Sequence, residues 1–126
     1  LRGFKLNDHF VNDPNNDWKH QGILFGSTFI GYNEYGVSVD KKDLINRVLL
    51  NVYTPTRRGI AMGDTKYLLL FVYGMPTRIV ESTTKAGTST VYEYKNPAAS
   101  NSYLQFALDD KNQYIKSVML SDRPVK

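Results

Sequence analysis

The feature that most constrains this chain is a short helix with both ends written into the sequence, followed by four β-type runs. Gly63 and Asp64 open it: Asp64 reads as the helix N-cap, because a short carboxylate accepts the free amide protons of a first helical turn. Thr65 to Tyr73 follows, with Tyr67, Leu68, Phe71 and Val72 at helical spacing. Gly74 supplies a left-handed stop and Pro76 prevents continuation. Beyond the stop lie Thr77 to Ser82, Ser89 to Tyr94, Tyr103 to Leu108 and Tyr114 to Leu120, joined by turn-like segments. Two of these runs alternate clearly, Val91 and Glu93 against Tyr92 and Tyr94, and Tyr103 and Gln105 against Leu104, Phe106 and Leu108. Consecutive strands with short turns give an antiparallel meander, and the helix covers one face of it. The expected fold is therefore α+β, an antiparallel sheet with a short helix packed on one face.

The remainder fits the same class. The chain has 126 residues, one domain by length, and 41% hydrophobic residues, enough for a core. Residues 1–21 are polar and rich in Asn and Asp, and read as an irregular N-terminal segment. Residues 22–53 form a β-rich first half, with β-prone runs at Ile23-Leu24-Phe25, Thr28-Phe29-Ile30 and Tyr35 to Val39 and a return strand from Leu44 to Val52. Residues 54–63 are a connector, and residues 64–126 the helix and four-stranded module. A faint repeat is visible. Val37, Val39, Asp40, Ile45, Val48 and Leu50 align with Phe106, Leu108, Asp109, Ile115, Val118 and Leu120 at offsets of 69 to 70. Duplication and the shared constraints of two amphipathic hairpins both account for it.

Several chemistries lose their basis. Without cysteine there is no disulfide, thiol nucleophile, thiolate zinc site or iron–sulfur cluster. Asp13-x-Asn15-x-Asp17 has the first three ligand spacings of a calcium loop, but Trp18 stands where the loop needs glycine and Leu24 where it needs a bidentate Glu. An Asn/Asp turn explains it better. His9 and His20 are the only histidines and lack the spacing of a helical metal site. Gly59 to Gly63 lacks the Lys-Ser/Thr ending of a phosphate-cradling loop, and Asp64 would repel an anion there. No motif combines nucleophile, base and stabiliser, so no catalytic residue, metal or cofactor is assigned. A small hydrolase remains only if His9 or His20 meets carboxylates in a cleft.

The compositional oddity is nine tyrosines. Tyr32, Tyr35, Tyr92, Tyr94 and Tyr103 lie in β-type stretches and are candidates for an amphipathic contact face toward protein or sugar. Strand preference of aromatic residues is the competing explanation. Nucleic acid is disfavoured, because Tyr92 and Tyr94 flank the acidic Glu93. The net charge of +4 suits anionic surroundings, although the basic residues are scattered.

From Gly59 to Leu120 the pattern resembles two related groups. Gly59-Ile60-x-x-Gly63-Asp64-Thr65, the short helix, Tyr73-Gly74-x-Pro76, Phe106-x-Leu108-Asp109 and Ile115-x-Ser117-Val118 are similar to extracytoplasmic domains of Firmicute envelope proteins and to the SmpA/OmlA (BamE-like) and β-lactamase-inhibitory-protein-like fold group. About half the chain is covered. The resemblance implies a helical layer on an antiparallel sheet, secretion or lipid anchoring, and roles in protein contact or envelope upkeep. Its matching positions, Gly59, Gly63, Asp64, Gly74 and Pro76, are structural. The expectation is a non-catalytic extracytoplasmic binding domain of the bacterial envelope, its partner a protein or an envelope polymer, near the membrane through an anchor outside residues 1–126. A small carbohydrate- or lipid-binding domain is the alternative.

Overall fold

The computed structural model describes residues 5–10, 20–24, 27–31, 35–42, 44–50, 55–84, 87–99, 101–109, 111 and 113–125. The described strands are β1 (His20–Leu24), β2 (Ser27–Gly31), β3 (Tyr35–Val39), β4 (Ile45–Leu50), β5 (Arg78–Thr84), β6 (Gly87–Lys95), β7 (Tyr103–Leu108) and β8 (Ile115–Ser121). One helix, α1 (Lys66–Tyr73), precedes β5. All eight strands form a single antiparallel sheet in the order β1-β2-β3-β4-β8-β7-β6-β5. The α+β expectation holds, and the first half shares its sheet with the second. Two four-stranded meanders meet through their last strands, where Val48 pairs with Leu120 and Leu50 with Val118.

The register explains the core. Tyr35, Val37, Val48, Leu50, Val118, Leu120, Leu104, Phe106, Tyr92 and Tyr94 are cross-strand partners or alternate positions, so they share one sheet face. Two clusters sit on that face. Tyr35, Val37, Ile45 and Val48 pack with Leu6, Phe10, Val39 and Leu120. Leu50, Ile60, Leu69, Phe106, Leu108, Ile115 and Val118 pack with Met62, Val72, Tyr73, Tyr92, Tyr94 and Leu104. Ile60, assigned to a connector by sequence, is a core residue at 1% exposure.

The opposite face is polar where it is buried. Glu93 and Gln105 are cross-strand neighbours and both are buried. Glu93 Oε2 accepts from Gln105 Nε2 at 3.0 Å and from the Val125 N–H at 2.7 Å, and Arg78 lies 3.5 Å from its other oxygen. Gln105 Nε2 also donates to the Arg123 carbonyl. The C-terminal residues are thereby tied across this face, and Glu93 survives burial because it is bonded.

The helix differs from its sequence reading in three details. Thr65, not Asp64, is the N-cap: its Oγ1 accepts from the Leu68 N–H at 3.2 Å. Asp64 instead folds back, its Oδ2 accepting from the Ala61 N–H at 2.8 Å, while its carbonyl accepts from Ile115. Gly74 ends the helix with φ 78° and ψ −162°, a region open to glycine but distinct from the left-handed helical one, and its N–H donates to the Leu70 carbonyl. Finally, the helix buries Leu69, with Val72 and Tyr73 half-buried, and leaves Tyr67 and Phe71 exposed at 69% and 87%. Both faces are apolar, so spacing alone does not choose between them.

The repeat is deeper than the hairpin alignment. In β3–β4, Asp40 accepts backbone N–H groups from Lys42 and Leu44, and a register shift precedes Val39. In β7–β8, Asp109 accepts from Gln113 and Tyr114, and a register shift precedes Leu108. Each hairpin is also bonded along its last strand by an upstream segment. The Asn7 N–H donates to Ile45 and the Ile45 N–H to Asp8; likewise Gly63 donates to Ile115 and Ile115 to Asp64. His9 bridges Leu44 as Thr65 bridges Tyr114. Residues 5–9, expected to be irregular, are thus the first half's counterpart of 61–65.

Candidate functional site

Where the second half's upstream segment meets the sheet, a tight turn projects two arginines. The Thr56 N–H donates to the Ile60 carbonyl at 2.7 Å, Gly59 to the Thr56 carbonyl at 2.9 Å, and Ile60 to Thr56 Oγ1 at 3.2 Å. Gly59 holds φ 89°, which closes this turn. Burial of Thr56 and Ile60 anchors the turn, so Arg57 and Arg58 are left exposed at its tip. Tyr73, at the end of α1, locks it by donating its hydroxyl to Thr56 Oγ1 at 2.8 Å.

Tyr73 belongs to an aromatic group with Tyr94 of β6 and Phe106 of β7. Ring centroids are 5.4 Å apart for Tyr73 and Tyr94, 5.3 Å for Tyr73 and Phe106, and 5.8 Å for Tyr94 and Phe106, the last edge to face. Such tilted contacts suit the ring quadrupoles. The Tyr94 hydroxyl donates to the Gly74 carbonyl at 2.8 Å, joining the helix stop to the sheet. Burial, with Tyr92 and Tyr73 nearby, pushes its pKa up to about 12. The Arg58 guanidinium lies 5.0 Å from the Tyr73 ring centre.

These parts enclose an open cleft of about 510 Å³ lined by Thr56 to Arg58, Tyr73, Tyr94 to Pro97, Ser102, Leu104 and Leu120. Its far rim is fixed too: the Lys95 N–H donates to Thr77 Oγ1, and Asn96 shapes the following turn by accepting from Ala98 and donating to Ser102. The described lining carries three cations and no carboxylate. Its chemistry is that of holding an anion against an aromatic and aliphatic floor.

The structure does not gather the sequence-derived tyrosines into one surface. Tyr35 is core at 4% exposure, so it offers no contact area, and Tyr32 lies outside the described residues. Tyr92 and Tyr94 point to the helix side, and Tyr103, in register with Lys95 and Ser121, to the other. Of the five, Tyr94 lines the cleft. Alternation along β6 and β7 divides them physically, since residues of odd and even position face opposite ways. Gly59, Gly63 and Gly74 take positive φ, and Asp64 is an internal turn partner. The calcium-like Asp13, Asn15 and Asp17 lie outside the described residues, and His9 is exposed at the bridge to Leu44. Among the described residues no three metal-ligating side chains converge.

Sequence reasoning missed Arg57, Arg58 and Lys95. The Arg57-Arg58 pair was visible, but Lys95 stands 37 positions beyond Arg58 and only the turn and the β6 end bring them to one cleft. Comparison with family models, curated proteins and solved structures finds no match.

Proposed function

We propose that this chain is a non-catalytic binding domain of the bacterial cell envelope, working outside the cytoplasm on an envelope polymer or a protein partner. The observation that supports it is the cleft: basic residues and no carboxylate in its described lining, Arg58 over the Tyr73 ring, and the Thr56 hydroxyl already committed to Ile60 and Tyr73. Such a lining holds a ligand and supplies no acid–base pair to transform one. The envelope setting rests on the resemblance carried by Gly59 to Leu120 and on a net charge of +4, which suits a polyanionic matrix.

Tyr94, Leu104 and Leu120 favour a second reading, a small carbohydrate- or lipid-ligand domain, because they give the cleft an apolar floor. One experiment bears on both. Cells that naturally produce the protein are fractionated, and the purified 126-residue chain is sedimented with isolated envelopes. The expected result is recovery in the envelope or secreted fraction and salt-sensitive co-sedimentation. A cytoplasmic protein that ignores envelopes would overturn the proposal.

A further inference from the structure

The geometry points to a phosphate ester as the ligand of the basic cleft, its charged group held by Arg57 and Arg58 and its ring or polyol laid over Tyr94 and Leu104. This inference deepens the binding-domain reading and rests on it.

Charge placement comes first. Several basic side chains on the described surface stand beside acids: Arg78 with Glu93, Arg123 with Asp122 at 3.0 Å, Lys42 near Asp40 and Lys111 near Asp109. The cleft differs, with Arg57 and Arg58 side by side at the turn tip, Lys95 in the wall, and no carboxylate in its described lining. A concave site lined by one sign of charge concentrates the opposite ion.

Preorganisation comes second. The backbone under Arg57 and Arg58 is fixed by three hydrogen bonds, and Thr56 is fixed in turn by Tyr73. Arg58 is further held over the Tyr73 ring, so its guanidinium loses less freedom when it grips a ligand. Lys95 is fixed at its backbone by Thr77.

The number of donors separates phosphate from carboxylate. Two guanidinium forks offer more N–H groups than the two oxygens of a carboxylate accept, whereas phosphate presents three or more strong acceptors and carries up to two charges. The floor separates an ester from the free ion. The Tyr73 and Tyr94 hydroxyls already donate, to Thr56 Oγ1 and the Gly74 carbonyl, so they turn ring surface toward the cleft. With Leu104, Leu120 and Pro97 they form apolar surface that a bare ion leaves wet and a ring or polyol covers. The volume of about 510 Å³ admits such a ligand.

The test is amide NMR titration of the 126-residue chain with inorganic phosphate, glycerol 3-phosphate, glucose 1-phosphate, glucuronate and phosphatidylglycerol vesicles. Saturable shifts are expected at Arg57, Arg58, Lys95 and Asn96, with the soluble esters or the vesicles binding at least about fivefold more tightly than glucuronate or inorganic phosphate. Arg57→Gln and Arg58→Gln should each weaken binding about tenfold, while Lys116→Gln, on exposed β8 surface, leaves it unchanged. Peak dispersion shows that each variant is folded. Binding to vesicles alone assigns a lipid headgroup as the source, and binding to glycerol or glucose phosphate assigns a soluble or polymeric ester. Equal affinity for glucuronate, equal weakening by Lys116→Gln, or no saturable shift at these amides would overturn the inference. If the titrations fail while envelopes still retain the chain, the phosphate assignment falls and the binding-domain reading stands.

Discussion

Asn7 occupies in the first half the place that Gly63 occupies in the second: each has positive φ, 69° and 91°, and each donates its N–H to the isoleucine that starts the last strand, Ile45 or Ile115. Asn is among the few residues with a side chain that tolerate this backbone region. Asn7→Gly should therefore leave stability unchanged or slightly raised. Gly63→Ala should cost about 1 kcal/mol and Gly63→Asn less. No atom beyond the two flanking residues lies within 4 Å of a Cβ placed on Gly63, so any loss measures backbone conformation alone. Urea midpoints of the three variants check the order, and an Ala variant as stable as the Asn variant would refute it.

Gly74 is less forgiving. Its ψ of −162° with φ 78° is a combination that residues with a Cβ avoid, although nothing crowds the site. Gly74→Ala should lower stability by about 1–3 kcal/mol, and Gly74→Asn should rescue little, unlike the change at Gly63.

The helix faces are separated by two substitutions. Leu69 is fully buried and Phe71 is 87% exposed. Leu69→Ala should cost about 2–5 kcal/mol, and Phe71→Ser should stay within about 0.5 kcal/mol. Reversed magnitudes in denaturant melts would mean that the helix packs by its other face.

Glu93 links the sheet to the C-terminal residues. Glu93→Ala leaves the Gln105 amide and the Val125 N–H without their carboxylate, a loss of about 1–3 kcal/mol. The specific sign is local: hydrogen exchange at the Val125 amide should accelerate more than exchange in β7 or β8. Uniform acceleration would point to general destabilisation instead.

Acid and alkali should each expose a separate titration. Hydrogen bonds from the Leu44 and Gln113 N–H groups hold the Asp40 and Asp109 carboxyls below their ordinary value of 3.8. Their stabilisation is present above that value and is lost as pH falls through it and then through the lower folded values. Stability followed from about pH 5 to about pH 2 should fall, and less steeply in the Asp40→Asn, Asp109→Asn double variant. Tyr94 works in the opposite sense. Its pKa rises from 10.0 to about 12, so the folded chain retains a proton that the unfolded chain releases, and stability declines as pH climbs between those values. Tyrosinate absorbance should lose a late-titrating component in Tyr94→Phe.

Much of the second half was legible because local physics determined it. The run Tyr103 to Leu108 matches β7 residue for residue, since strict alternation leaves no other register for Leu104, Phe106 and Leu108. The Asp40 and Asp109 turns were readable for the same reason, each carboxylate accepting from amides within five positions. The repeat was half-read. Arg2-Gly3-Phe4-Lys5-Leu6-Asn7-Asp8 parallels Arg58-Gly59-Ile60-Ala61-Met62-Gly63-Asp64, but the offset there is 56, against 69 or 70 in the hairpins. A longer β5–β6 pair than β1–β2 and a longer connection into β7 than into β3 contribute most of the change, and a fixed period misses it.

The sequence by itself determined the strands, the helix and its glycine stop, because periodicity, capping and backbone freedom act over a few residues. Tertiary structure decided which apolar helix face is buried, that the two meanders join through β4 and β8, and that Arg57, Arg58 and Lys95 share one cleft. Those outcomes depend on pairing and packing between residues far apart in the chain, where no local preference selects the partner.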